Sequence, residues 1–413
     1  MTIDLTIKNY RCFPESSPAR IAVRPGFTAL LGVNNSGKSA LLRFFYEVSW
    51  SVLVSVQCKH DWRCHSCSQS GFSRPAPGLD PTSIFSKTNE HDISIDVELD
   101  APKRTKISLT ISRSFACTGR LEIAGLPRLN PQSLGWTGTA LTYEGREIGD
   151  LQQIADGFRT LASTVYVPAF RNAINAGANP SYFDMAVGQA FVQMWKAWLT
   201  GMTAKHNETI FTVTADIAKI FDLEDLRINP SDDDSTLQVF VEGKSYRLEE
   251  LGSGFAQFIL VLGNVAISRA DYVLIDEPEI NLHPSLQLDF LTTIASYAAR
   301  GIFYATHSVG LARSTADSIY ALRLLKRETS SIALLDQLST TLPEFLGELS
   351  YAGDQILGFK TIPLGRRNYR RQDHSAIPSV GEKRSRNSTS AVGRQPAHQR
   401  ESCTPPVGGQ THL

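Results

Sequence analysis

The sequence predicts an α/β protein with a mixed, largely parallel central sheet, an antiparallel β lobe and an inserted helical lobe. Three observations predict it. The pattern Gly32-Val-Asn-Asn-Ser-Gly37-Lys38-Ser39 stands between a short apolar run and a segment with helical spacing. Helical and strand patterns alternate from Phe255 to Ser308, the mark of parallel strands with covering helices. Between them, "DISIDVELD" and "KISLTISRSF" alternate apolar with polar residues, as an antiparallel sheet with one wet face does.

Taken in order, residues Ile3 to Ile7 alternate and "NYRCF" follows. "ARIAVRPGFTALLG" reads as one strand leading into the glycine-bearing loop, and "SALLRFFYEV" as the helix beyond it. That context, strand, loop, helix, is what G-x-x-x-x-G-K-[ST] needs to hold phosphates. Gly32 and Gly37 let the backbone N–H groups around Asn34, Asn35 and Ser36 turn inward, and the helix N-terminus adds partial positive charge. Lys38 would reach the β- and γ-phosphates, and the Ser39 hydroxyl would sit on Mg²⁺.

Residues 58–80 read as a cysteine-bearing irregular insertion. "GRLEIAG" and "TALTYEG" extend the antiparallel sheet, and "STVYVPAFR" is a buried strand ending at Arg171. From Phe183 to Phe221 the pattern is helical, then "STLQVFVEGKSYRLEELGSG" forms a hairpin running into a loop. "FAQFILVLGNVAISRA" is a helix, "DYVLIDEP" a strand, "PSLQLDFLTTIASYAARG" a helix and "GIFYATHS" a strand. The expected organisation is an N-terminal lobe over 1–170, a helical insertion over 171–230, a C-terminal lobe over 231–362 and a tail over 363–413. No internal repeat is visible.

Composition narrows the class. The chain has 413 residues, 42% of them hydrophobic, enough for one large domain or two. Its formal net charge is zero, so contact with nucleic acid would need a local patch. No apolar run has the length of a bilayer span, and the N-terminus lacks a leader's basic and apolar regions. Six unevenly spread cysteines do not make a secreted disulfide framework. A cytoplasmic protein without membrane contact is the expectation.

"DYVLIDEPEINLHP" is an apolar strand ending in Asp276-Glu277. A strand-end aspartate here suits Mg²⁺, and the adjacent glutamate can orient and deprotonate a water. "YATHS" offers a second strand ending in His307, placed to sense a γ-phosphate. "LEELGSGFAQ", Leu248 to Gln257, sets a Gly-Ser-Gly turn at a helix start, a second anion-facing element in a chain that already has one.

The order phosphate loop, serine-glycine signature, Asp-Glu, then histidine resembles ABC-type ATPases. Within them it is similar to the group containing RecF, SMC proteins and OLD (overcoming lysogenization defect) ATPases. "IKNYRCF" resembles their N-terminal strand motif and "EPEINLHPSLQ" their acidic strand and following loop. The resemblance covers roughly residues 1–360 and implies a P-loop ABC-type ATPase head that binds ATP with Mg²⁺ and dimerises around it. It implies that Gly32, Gly37, Lys38 and Ser39 hold phosphate and Mg²⁺, that Asp276 is a Mg²⁺ partner, Glu277 the general base and His307 the switch histidine. Ser253 and Gly254 would contact the ATP of a partner protomer, with Asn281 near the dimer seam. The glutamine that usually reports on Mg²⁺ has four candidates, Gln152, Gln153, Gln189 and Gln193. No long coiled coil is present, and the signature differs from the Leu-Ser-Gly-Gly of transporter subunits.

Two stretches stand outside this pattern. In "CKHDWRCHSC", Cys64 and Cys67 have the bite for Zn²⁺, with His60 or Cys58 to complete a tetrahedron. No second CxxC follows, so a metal-free loop is the expectation. From Pro363 the sequence turns to Arg, Ser, Pro and Gly without period, a composition expected to be disordered. In OLD-family nucleases a strand near here opens a Toprim domain, and "GFKTI" resembles its start, but no Glu-Gly or acidic cluster follows. The expectation is an ATPase without its nuclease half, working in DNA metabolism or antiphage defence beside a separate nuclease or effector. The alternatives are an ATP-dependent OLD-family endonuclease, which needs that half, and a non-hydrolysing scaffold. Contact of the basic tail with DNA is a further alternative.

Overall fold

A computed structural model describes residues 2–48, 80–99, 105–123, 134–136, 141–147, 149–169, 181–325 and 328–337. All lie in one compact unit, Met1–Phe359. The Cys58–Cys67 segment, Arg171 and the tail from Pro363 lie outside the described residues.

The chain opens with β1 (Ile3–Lys8), β2 (Ala19–Val23), β3 (Gly26–Gly32) and α1 (Lys38–Glu47). β4 (Ile93–Leu99), β5 (Thr105–Ile111) and β6 (Cys117–Ile123) follow. Then come β7 (Leu134–Trp136), β8 (Leu141–Tyr143), β9 (Arg146–Glu147), α2 (Gly149–Ala162) and β10 (Thr164–Val167). β11 (Ser181–Tyr182), β12 (Met185–Ala186), α3 (Gly188–Thr200) and α4 (Ala204–Ile220) lead to β13 (Leu226–Pro230), β14 (Leu237–Val241) and β15 (Lys244–Arg247). The last elements are α5 (Ser253–Ser268), β16 (Tyr272–Asp276), α6 (Pro284–Tyr297), β17 (Gly301–Thr306), α7 (Val309–Thr315), β18 (Ser318–Leu324) and β19 (Ser330–Leu334).

The central sheet runs β10-β16-β17-β3-β18-β19, and every neighbouring pair is parallel except β18–β19. It is the predicted mixed, largely parallel sheet. An antiparallel sheet, β2-β1-β4-β5-β6, is hydrogen-bonded separately and shares a hydrophobic core with it. Strand order puts β3 between β17 and β18, with β16 one strand further out. Asp276 pairs with Ala305, and Thr306 with Leu31, so β3, β16 and β17 end at one edge. Ligands of open parallel sheets sit at that carboxyl edge.

Two strand readings are corrected. "ARIAVRPGFTALLG" is not one strand: β2 pairs with β1 in the antiparallel sheet, while β3 belongs to the central one. Pro25 sits at the switch, where its missing N–H cannot continue a ladder. "TALTYEG" does not extend the antiparallel sheet either. β8 has β7 on one side and β9 on the other, a small sheet closed by local pairing. α2, β13, β18 and β19 are elements for which the sequence reading gave no signal.

Apolar residues fill both faces of the central sheet. Along β3, Leu30 enters one core with Leu41, Leu42 and Phe44 of α1 and with Ile3, Leu5 and Ile7 of β1. Its neighbours Ala29 and Leu31 enter the other, with α5 and α6. The alternation follows the period of two along a strand. α5 is buried without a break from Ala256 to Ala266, as expected of a helix apolar on all sides.

One polar clamp crosses that second core. Asn264, 5% exposed, accepts from the Ala186 N–H at 2.8 Å and donates to the Ala186 carbonyl at 3.1 Å. Its amide also donates to the Leu260 carbonyl at 2.9 Å. Asn264→Ala strips the Ala186 N–H and carbonyl of these two bonds, so it is expected to cost about 1–3 kcal/mol. The measurement is the urea midpoint, which should fall at constant m.

Candidate nucleotide site

The loop between β3 and α1 is held open by Gly37. This residue caps α1 at φ 95° and ψ 7°. A Cβ there would lie 2.7 Å from Cys12 Sγ and 3.2 Å from the Phe13 ring, so space and backbone both demand glycine. Asn35 also takes a positive φ, 64°. The Ser36 side chain is fully buried, and its hydroxyl has no hydrogen-bond partner among the described residues. Asn34, Asn35, Gly37, Lys38 and Ser39 line a cavity of about 660 Å³, together with Glu277 and Arg11.

Lys38 is 4% exposed, and its ammonium donates to the Gly32 and Val33 carbonyls, both at 2.9 Å. Burial lowers its pKa from the ordinary lysine value, while Glu277, Asp276 and Glu279 pull it back up. A buried cation facing three carboxylates suits an anion that replaces backbone carbonyls as its partner.

Asp276 closes β16 and is 4% exposed. The Tyr166 hydroxyl donates to its Oδ2 at 3.4 Å, Ser39 hydrogen-bonds the carboxylate, and Oδ1 has no partner among the described residues. Burial raises its pKa; the Ser39 bond, Arg43 and Lys38 lower it and Glu277 adds to the rise. A hydroxyl beside a buried carboxylate with a spare oxygen is a donor set for a hard divalent cation. The residues therefore fit Mg²⁺, which Ser39 and Asp276 would hold.

Glu277 follows in a positive-φ conformation, 51°, with its N–H donated to the Ala305 carbonyl at 2.9 Å. The turn thus leans on β17; Glu277 lines the cavity and Asp276 does not. His307 follows the end of β17 and is 43% exposed. Its Nδ1 lies 3.1 Å from Glu279 Oε1.

Structure brings Gly32, Asn34, Asn35, Ser36, Gly37, Lys38, Ser39, Asp276 and Glu277 into one neighbourhood. It does not bring Ser253 and Gly254 there. Ser253 is exposed at the start of α5, and neither residue lines the cavity. A Cβ at Gly254 would lie 2.8 Å from the Asn281 carbonyl, so the signature turn and Asn281 form a second group. Gln189 and Gln193 are exposed on α3, away from the cavity lining, and Gln152 and Gln153 fall in α2.

Arg11, Lys87 and Glu328 are among the cavity-lining residues not read from the sequence. Arg11 lines the cavity and pairs with Glu47, a 1% exposed carboxylate that also accepts from the Tyr10 hydroxyl at 2.6 Å. The sequence separation of Arg11, Lys87 and Glu328 from the loop leaves no local pattern to find.

Comparison with known proteins adds one family and a group of structures. Residues 196–312 match the AAA ATPase domain family model. That span runs from α3 to α7 and includes Ser253, Asp276, Glu277 and His307 but not the phosphate loop. The match supports an ATP-binding ATPase, a class that uses nucleotide and usually Mg²⁺. No curated protein matches. Among solved structures, the chain is similar to the SMC head domain from Thermotoga maritima at 14% identity and a TM-score of 0.41, over 80% of this chain and 97% of that one. It is similar to an SMC head bound to the C-winged helix domain of ScpA at 12% identity and a TM-score of 0.43, over 80% and 96%. A third is the SMC head with an extended coiled coil bound to the C-terminal domain of ScpA, derived from Pyrococcus furiosus, at 11% identity and 0.42, over 83% and 99%. Among the described residues, no helix is long and apolar enough to cross a membrane.

Proposed function

We propose that this chain binds and hydrolyses ATP and pairs head to tail with a second copy of itself around the nucleotide. One observation carries the reading. Lys38, Ser39 and Glu277 line one cavity and Asp276 hydrogen-bonds Ser39, while the signature residues Ser253 and Gly254 do not line it and Gly254 packs on Asn281. A signature turn with no phosphate in reach of its own chain fits one that meets the phosphate of another.

In this reading the backbone N–H groups from Asn34 to Gly37 and the Lys38 ammonium hold the phosphates. Ser39 and Asp276 would hold Mg²⁺, which would neutralise the developing phosphate charge. Glu277 orients the attacking water and takes its proton. His307 senses the γ-phosphate. The lobes are 1–170 and 231–362, with 171–230 inserted and 363–413 as tail. The resemblance to OLD- and RecF-type ATPases supports a place in DNA metabolism or antiphage defence, in the cytoplasm, with DNA or a separate nuclease or effector as partner.

Sedimentation velocity tests the pairing. With Mg²⁺ and a non-hydrolysable ATP analogue, the wild-type chain should move from monomer to dimer. Ser253→Arg, which fills the signature turn, should stay monomeric while binding the analogue as tightly as the wild-type monomer does. An unchanged wild-type sedimentation coefficient sinks the shared site.

A further inference from the structure

The acidic turn after β16 carries a second glutamate that the roles above leave unused. Glu279 is 7% exposed at its side chain. Its Oε1 accepts from the Thr306 hydroxyl at 2.6 Å and from the His307 N–H at 3.1 Å. His307 Nδ1 lies 3.1 Å from the same oxygen. Oε2 is buried with no hydrogen-bond partner among the described residues. The Thr306 hydroxyl in turn accepts from the Ser308 N–H at 2.9 Å, so the carboxylate is tied into the turn that carries the histidine.

Charge makes this arrangement specific. A buried carboxylate is costly unless it is paired with a cation. Thr306 and the backbone are neutral donors and leave Oε2 unsatisfied. The ring of His307, with Nδ1 at 3.1 Å, is the basic group within ion-pair distance; Lys38 feels Glu279 only as the weakest of its three carboxylates. A carboxylate at this distance favours a proton on the ring nitrogen that faces it.

We propose that Glu279 is a positioning residue for His307: its Oε1 keeps Nδ1 protonated and directs Nε2 outward as the group that meets the γ-phosphate. This rests on the ATPase reading for its purpose, but not for its geometry. With the Nδ1 side turned to Glu279, donation from Nε2 to an anionic phosphate oxygen would come from the doubly protonated ring, whose charge the carboxylate would balance. The Glu277 N–H bond to Ala305 and the Glu279 bonds to Thr306 and His307 fasten the turn to β17 at successive residues. A shift of the base-bearing turn therefore moves the sensing ring, and the reverse.

The test has two arms. In ¹⁵N-histidine-labelled full-length protein, two-bond ¹⁵N–¹H spectra report which ring nitrogen carries the proton. The His307 signal is assigned by its loss in His307→Ala. It should show protonated Nδ1 in the wild type and revert to protonation at Nε2 alone in Glu279→Gln, which keeps the side chain's shape and removes its charge. A wild-type His307 protonated only at Nε2, or a pattern indifferent to Glu279→Gln, overturns the proposal.

The kinetic arm asks whether the two residues act as one. Glu279→Gln should lower kcat on the order of 10- to 100-fold, as loss of an orienting partner does, with ATP affinity unchanged. In a His307→Ala background it should lower kcat no further. Equal losses in both backgrounds would mean that Glu279 only holds the turn, and would overturn the proposal. A wild-type chain without turnover would sink the ATPase reading alone, and the ring assignment would then still uphold or refute the pairing.

Discussion

Glu277→Gln is expected to keep ATP bound, to slow its hydrolysis by at least about 100-fold, and to accumulate as a dimer. Glu277 lines the cavity with Lys38 and Ser39, and its backbone N–H is fixed by the Ala305 carbonyl at 2.9 Å. Glutamine has the same shape, so the turn and its φ of 51° are preserved. What disappears is the capacity to accept a proton from water. The phosphate cradle keeps all its donors, since the Lys38 ammonium bonds the Gly32 and Val33 carbonyls, and a negative charge that would repel phosphate leaves the cavity lining. Binding therefore holds while chemistry stops, and an assembly that dissociates only on hydrolysis is trapped. Phosphate release measures the first effect and light scattering behind a sizing column the second. A variant that turns over at the wild-type rate, or that elutes as a monomer with ATP and Mg²⁺, refutes the role of Glu277.

How much of this was legible follows from how local each signal is. The phosphate loop is eight consecutive residues between a strand and a helix, and periodicity exposes both flanks. The strand ending at Asp276 is five residues buried on both faces, so it stands out as an apolar run. The switch between sheets at Pro25 was written in the sequence too, but apolar residues on both sides of it concealed the break. β18 and β19 failed to register because their burial is uneven: both β18 ends and most of β19 are only partly covered. What no local pattern carries is the meeting of distant residues. Glu279 and His307 are 28 residues apart and touch only because β16 and β17 pair in a register that puts Asp276 opposite Ala305. Arg11 comes to the cavity because Cys12 packs beside Gly37, a contact between the start of the chain and the loop. Residue type could mark Glu279 as one acid among three in "DEPE"; only the fold distinguishes the one bonded to Ser39, the one that lines the cavity and the one beside the histidine.

Lys38→Met is expected to abolish ATP binding while leaving the free protein at least as stable as the wild type. The two halves have one cause. Lys38 is 4% exposed, and burial outweighs the carboxylates around it, so its pKa falls below the ordinary lysine value. A lysine with a depressed folded-state pKa binds its proton less tightly when folded than when unfolded. Its charge therefore costs stability at neutral pH, and that cost fades as pH rises through the depressed value toward the ordinary one near 10.5. Methionine fills similar space without the charge and removes the cost, at the loss of two bonds to the Gly32 and Val33 carbonyls. The same buried, under-solvated ammonium is what gives a phosphate its strongest partner in the loop. ATP at about a hundredfold its Kd adds about 2.7 kcal/mol to a protein that binds it only when folded. Thermal unfolding should show that gain in the wild type and none in Lys38→Met. The variant's own Tm at neutral pH should equal or exceed the wild type's, with the difference shrinking as pH is raised. A variant that still gains Tm with ATP and Mg²⁺ would remove Lys38 from the phosphate site, and one that melts far below the wild type without nucleotide would show its carbonyl bonds outweighing its buried charge.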